Sequence, residues 1–244
     1  MKTIDFNCDL GEGSGNDAAI MPFISSCNIA CGGHAGDLTT MRKTVLLATA
    51  HQVKIGAHPS YPDPQNFGRK IIPMSLPDLT ESLIHQIRTL ENIAHHFGLK
   101  LHHIKLHGAL YNQAAQEAEA ARLIVDMMKK YFMQYTLYAP YPSVLSQIAL
   151  KEGLQIKYEV FADRNYNADL SLVSRRFPYA VLLDHQKVLE HVERILKEGK
   201  VKTISGELVA IRADTLCVHG DNPEAVSLAA TIYKKLKREG YFIR

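Results

Sequence analysis

An α/β barrel of parallel βα units is the fold class the sequence predicts, and three observations predict it. Short β-type runs alternate with longer segments whose apolar residues recur at three and four positions, the pattern of strands joined by packed helices. The runs end in polar, histidine-bearing or glycine-rich residues, as if their ends shared one rim. The 244 residues, 46% hydrophobic and 22% charged, hold no linker rich in Gly, Ser or Pro, so one barrel-sized domain over 1–244 is expected.

The principal strands are expected at TIDFNCDL (3–10), SCNIACG (26–32), VKIGAH (53–58), LHHIKLHG (101–108), YTLYAP (135–140), IKYEVFA (156–162) and DTLCVHG (214–220), with a weaker one at YAVLLD (179–184). A long helical pattern starts behind Asp37, its N-cap. Ser75 precedes another, with Pro77 in the first turn, Asp78 at capping-box spacing and Gly98 after the end. Leu79, Leu83, Ile84, Ile87, Leu90 and Ile93 form its buried stripe. The last helix is expected to begin at Asn222 as N-cap with Pro223 at its first position, and to stop at Gly240. VKTISGELVAIR (201–212) reads as an inserted hairpin turning at Ser205 and Gly206.

Several classes of function are disfavoured. A net charge of +3 with dispersed basic residues argues against a nucleic-acid partner. The N-terminal segment has no secretory pattern and no window approaches the roughly 20 apolar residues of a membrane span, which makes a cytoplasmic location the expectation. Cys8, Cys27, Cys31 and Cys217 lie in or beside apolar runs and read as buried free thiols. No phosphate-cradling G-x-x-x-x-G-K-[ST] loop, dinucleotide-binding G-x-G-x-x-G turn or G-x-S-x-G elbow is present.

The polar residues fall at the strand ends: Asn7, Asp9 and Glu12; Asn28, His34 and Asp37; His58, Tyr61 and Asp63; Lys105, His107 and Asn112; Glu159, Asp163 and Arg164; His219 and Asp221. On one rim they would converge on a pocket. Asp63, between Pro62 and Pro64, reads as a turn former, and His51, His85, His95, His96 and His191 as residues of helices. His102 and His103 lie early in their run, away from the rim. Four strand ends, ACGGH, GAHPSY, KLHGALYN and VHGDNP, pair a titratable ring with Gly or Pro, which points to an enzymatic site. Carboxylates among these histidines suit general acid-base work or, together with them, a divalent metal.

NCDLGE (7–12), NIACGGHAGD (28–37), GAHPSYPD (56–63), HGALYN (107–112), EVFADRNY (159–166), LVSRR (172–176) and TLCVHGDNPEAV (215–226) resemble the signature blocks of the LamB/YcsF family, in order and over nearly the whole chain. The resemblance implies a seven-stranded (β/α) barrel, TIM-like and akin to the glycoside hydrolase and deacetylase barrels. It implies ring opening of 5-oxoproline (pyroglutamate) to glutamate coupled to ATP hydrolysis, by an A subunit that works with separate B and C subunits. With no Walker loop in this chain, nucleotide activation falls to those partners.

On that reading Asp9, Glu159 or Asp163 orients or deprotonates water, and His34, His58, His107 and His219 move protons. Lys105, Arg69 and Arg164 counter the substrate carboxylate and a phosphorylated intermediate, while Asn7, Asn28 and Tyr61 donate hydrogen bonds to substrate, beside Glu12 and Asp221 on the same rim. The chain departs from the family pattern at Gly33, where an aromatic is usual, at Leu106 for a proline, near Leu170 for a glycine, and in a shorter stretch after Glu12. Gly32 and Gly33 are expected to let the backbone swing over the barrel mouth, with Gly33 widening the pocket. Two alternatives remain: a stand-alone metal-dependent amidohydrolase or deacetylase with Asp9, His34 and His58 as ligands, and a non-catalytic module that binds a lactam or sugar.

Overall fold

Strand β1 (Lys2–Leu10) sets the plan of the molecule. Ile4, Phe6, Cys8 and Leu10 alternate with Asp5, Asn7 and Asp9, and all seven are buried. Such alternation ordinarily marks a strand with one wet face. Here the polar face turns inward, where hydrogen bonds between strands satisfy it, and the apolar face packs in the main core.

The computed structural model describes residues 2–222 and 224–244. Six parallel strands pair in chain order: β1, β2 (Ser26–Ala30), β3 (Lys54–His58), β4 (His103–Lys105), β5 (Thr136–Pro140) and β6 (Ile156–Phe161). An antiparallel hairpin follows, β7 (Lys200–Lys202) with β8 (Leu208–Ala210), turning through Ser205 and Gly206 as expected. The seventh barrel strand, β9 (Thr215–His219), pairs with both β6 and β1 and closes the sheet. A short β10 (Tyr241–Ile243) adds to β1 at Lys2–Ile4, below the point where β9 meets it.

Eight α-helices are present among the described residues: α1 (Asp17–Ile20), α2 (Leu38–Ala50), α3 (Leu76–His96), α4 (Gly108–Gln116), α5 (Ala118–Tyr131), α6 (Val144–Lys151), α7 (His185–Glu193) and α8 (Ala225–Arg238). The Asp37 side chain caps α2 by accepting from the Thr40 amide, and Ser75 caps α3 through the Asp78 amide. In the α3 stripe Ile84 is only half-buried; the other five residues are buried. No helix among the described residues is long and apolar enough to cross a membrane.

Two expectations need correction. YAVLLD forms no strand: the barrel closes without it, and only Val181 bridges, antiparallel, to Arg164. The Arg164 guanidinium holds this segment by donating to the carbonyls of Ala180 and Val173. Helix α8 has Glu224 at its N-cap, because Asn222 bends into a local turn in which its Oδ1 accepts from the Glu224 amide. Pro223 lies outside the described residues.

Candidate active site

The barrel interior is built in layers that climb β1. At the bottom, Asp5 accepts from the hydroxyls of Ser25, Ser26, Tyr138 and Thr215. Above it, Asn7 Nδ2 donates to Thr215 Oγ1 (2.7 Å) and Glu159 Oε1 (3.1 Å), and Asn28 Nδ2 bridges Asn7 Oδ1 (2.8 Å) and Asp9 Oδ1 (2.7 Å). His103 donates to Asn28 and stacks on Tyr138, below the rim as the sequence suggests. Gly56 makes room for that ring: a Cβ there would lie 2.1 Å from His103 Nε2.

The top layer carries the charge. Lys105 Nζ lies 2.7 Å from Asp9 Oδ1, 2.9 Å from Glu159 Oε1 and 3.1 Å from Cys217 Sγ, at 2% exposure. Burial opposes the ammonium, but Asp9 and the other anions beside it hold Lys105 well above its usual value. Burial likewise opposes the Asp9 carboxylate, and His58 and Lys105 outweigh it, leaving Asp9 well below the usual carboxylate range.

On one side of this ion pair, His219 Nδ1 lies 2.9 Å from Asp163 Oδ1 and its amide donates to Asp163 Oδ2. Asp163 stays below its usual value against the pull of burial because His219 and its hydrogen bonds favour the carboxylate. With Nδ1 held, His219 offers Nε2 for proton transfer and lines the cavity.

On the other side three histidines meet Glu12. His34 stacks on His107 (3.6 Å, 4°), and one ligand atom each of Glu12, His34, His58 and His107 lies within 4.8 Å of the others. Their protons can be placed from the hydrogen bonds. Ser60 Oγ donates to the Tyr61 carbonyl, so it accepts from His34 Nδ1; His58 Nδ1 donates to the Lys105 carbonyl, and His107 Nε2 to that of Phe67.

The three rings therefore turn their inner nitrogens toward Glu12 and one another. His107 Nδ1 faces His58 Nε2 at 3.0 Å, and His34 Nε2 faces Glu12 Oε1 at 3.0 Å. Each contact requires a proton or a cation between its atoms. Burial, reinforced by Asp9, lifts Glu12 to about 7, and burial lowers His34 to about 4. Two protons or one divalent ion would satisfy the cluster, and histidines anchored by oxygens through their outer nitrogens are what a metal centre requires. The residues thus fit a divalent ion, with Glu12 and His107 in the set; Asp9 Oδ1 is engaged by Lys105 and Asn28, and Oδ2 lies 3.4 Å from His58.

A cavity of about 500 Å³ opens above the ion pair, lined among others by Asp9, His58, Arg69, Lys105, His107, Tyr111, Glu159, Arg164, Arg175 and His219. At its mouth Asp221 Oδ2 takes both Arg69 (2.6 Å) and Arg175 (3.1 Å). Arg164 is 6% exposed and lines the cavity, while its Nε and Nη2 donate to the Ala180 and Val173 carbonyls and brace the 163–182 loop. Tyr61 does not line the cavity; its hydroxyl donates to Gln113. Asn7 and Asn28 lie in the layer beneath and support Asp9 and Glu159.

Gly32 turns the chain at φ +97° as expected, but Gly33 does not widen the pocket. A Cβ at Gly33 would stand 2.4 Å from Gln86 Oε1 and from Ser60 Oγ, so the volume is already filled by Gln86 from α3. Leu170 sits at φ +65°, the left-handed region that a glycine occupies without strain. Sequence reasoning misses Tyr111 and Arg175, although both stand inside blocks it marks, HGALYN and LVSRR.

The sequence pattern of the LamB/YcsF family matches residues 4–244. The A subunit of 5-oxoprolinase from Bordetella pertussis is 42% identical over 246 residues, spanning 99% of this chain and 98% of that protein. The same-named protein of Shouchella clausii is 45% identical over 249 residues, 100% and 98% of the two chains. The crystal structure of a lactam utilization protein from Thermus thermophilus superposes with a TM-score of 0.92 at 36% identity, covering 100% of this chain and 99% of that one. A putative cellobiose-phosphate cleavage protein of Enterococcus faecalis shares the fold at a TM-score of 0.61 and 12% identity, covering 100% and 97%. From end to end, in sequence and in structure, the chain belongs to the LamB/YcsF family.

Proposed function

We propose that the protein opens the ring of 5-oxoproline to give glutamate, as the A subunit of an ATP-dependent 5-oxoprolinase working with separate B and C subunits. The observation that carries this reading is the full-length match to proteins named as the A subunit of 5-oxoprolinase, joined to a cavity whose floor is the Lys105 ion pair with Asp9 and Glu159. A five-membered lactam is a poor electrophile. Transfer of phosphate from ATP to its carbonyl oxygen, by the partner subunits, makes the ring carbon reactive. Water then adds to that carbon, the C–N bond breaks as nitrogen takes a proton, and a second water converts the acyl phosphate to carboxylate and phosphate.

His219, oriented by Asp163, takes the proton from the attacking water and returns one to the ring nitrogen. Lys105 faces the oxyanion that develops when the second water attacks the acyl phosphate. Arg69 and Arg175, which share Asp221, provide guanidinium groups for the substrate carboxylate and the phosphate. The test is glutamate release with ATP and the B and C subunits present. His219→Gln is expected to lower kcat at least about 100-fold, and near-normal turnover by the folded variant would sink the assignment.

The Glu12, His34, His58 and His107 cluster supports a second reading, a metal-assisted hydrolase. A divalent ion held there would supply Lewis acidity and a water of lowered pKa. Stoichiometric metal in the purified protein, with amide hydrolysis that needs neither ATP nor partners and is lost on chelation, would favour this reading; metal-free protein with full activity would remove it.

A further inference from the structure

Two polar atoms of cavity-lining residues have no hydrogen-bond partner among the described residues: the Tyr111 hydroxyl and Glu159 Oε2. Tyr111 is 4% exposed and Glu159 is 1% exposed. Neither is free to swing away. Glu159 Oε1 is pinned by Asn7 and Lys105, which fixes the carboxylate plane and aims its second oxygen. Tyr111, on α4, packs edge-on against Phe161 with ring centroids 5.8 Å apart. The two groups are close neighbours with no well-formed hydrogen bond between them: burial first, and then the charge and the acceptor pull of the Glu159 carboxylate, hold the phenol well above its usual range, so it stays a donor.

A buried donor and a buried acceptor left open side by side are costly, and native interiors rarely keep them without a use. The ligand that completes both must present an acceptor and a donor on one edge. An ordinary trans amide points its C=O and N–H in opposite directions. A small-ring lactam is locked cis, with both groups on the same edge.

We infer that Tyr111 and Glu159 together read the cis-amide edge of a lactam, the Tyr111 hydroxyl donating to the ring carbonyl oxygen and Glu159 Oε2 accepting from the ring N–H. The inference deepens the proposed function and takes the identity of the ring from it, while the pairing itself needs only a lactam.

The test is isothermal titration of wild type and Tyr111→Phe with 5-oxoproline, N-methyl-5-oxoproline, 2-pyrrolidinone and proline, beside turnover of 5-oxoproline with ATP and the B and C subunits. Wild type is expected to bind 5-oxoproline about 10- to 100-fold more tightly than its N-methyl form. Tyr111→Phe should weaken both lactams about 10-fold and leave proline, which has no ring carbonyl, unmoved. Equal binding of the N-methyl ligand by wild type, undiminished lactam binding by Tyr111→Phe, or no lactam binding at all overturns the inference. The N-methyl comparison decides the matter on wild type alone if the variant fails to fold. Should 5-oxoproline not be turned over while 2-pyrrolidinone binding still depends on Tyr111, the functional reading falls and the lactam edge stands; turnover with unaltered Tyr111→Phe kinetics gives the reverse.

Discussion

Replacing Lys105 with methionine keeps the length of the side chain and removes the one ammonium between Asp9 and Glu159. At 2.7 and 2.9 Å, each of these contacts is worth about 6 kcal/mol in gross Coulomb energy at an effective dielectric near 20. Desolvation offsets much of that in the intact pair, whereas deleting one partner of a buried pair costs roughly 3–5 kcal/mol because the other charge is stranded. Two carboxylates are stranded here, 4% and 1% exposed. Lys105→Met is therefore expected to lose about 3–5 kcal/mol at pH 8 in urea denaturation. The sign with pH follows from Asp9. In wild type its folded pKa lies well below the ordinary carboxylate value of 3.8. The stability this contributes is present above 3.8 and lost as pH falls through the folded value. Without Lys105 burial is less opposed, the folded value rises and the variant lacks part of the contribution. The deficit of the variant should therefore shrink as pH falls below 3.8. A loss under about 1 kcal/mol at pH 8, or one that does not diminish below pH 3.8, would refute the ion-pair account.

Gly33→Ala should lower stability by about 1–3 kcal/mol, since its Cβ would meet Gln86 and Ser60 at 2.4 Å; thermal denaturation should show Gln86→Ala recovering part of the loss. Asp163, held below its ordinary value of 3.8, contributes stability that is present above that pH and lost as pH falls through the folded value. Acid denaturation of Asp163→Asn should lack that part of the wild-type slope, and an identical profile would remove the Asp163–His219 interaction as a source of acid sensitivity.

The barrel was legible because its strands advertise both faces. In IDFNCDL the alternation is visible in the residues, and every principal run ends on the rim where the sequence placed it. What no local pattern carries is closure. YAVLLD is as apolar as a strand, yet β9 reaches β1 directly and leaves it no neighbour, so the segment is tied down by Arg164 instead. Nor does the sequence show that Arg164, at a strand end beside the cavity, also holds carbonyls of its own loop. Tyr111 was invisible for the opposite reason, since a tyrosine on an amphipathic helix looks like core until its hydroxyl is found without a partner. Glu12, His34, His58 and His107 could be selected one by one as rim residues, but their grouping depends on the depth to which each loop returns into the barrel.

Gln86 gives the outer helix a say in the chemistry of the mouth. Its amide grips the backbone of Ser60 from both sides, accepting from the amide and donating to the carbonyl, and Ser60 fixes which nitrogen of His34 carries the proton. Position 33 and position 86 share one volume, so a relative with an aromatic at the first must retract the side chain at the second. The tautomer of a rim histidine is in this way hostage to a residue of α3 that touches neither substrate nor cavity, and substitutions on that helix can retune the site while every residue of the rim stays the same.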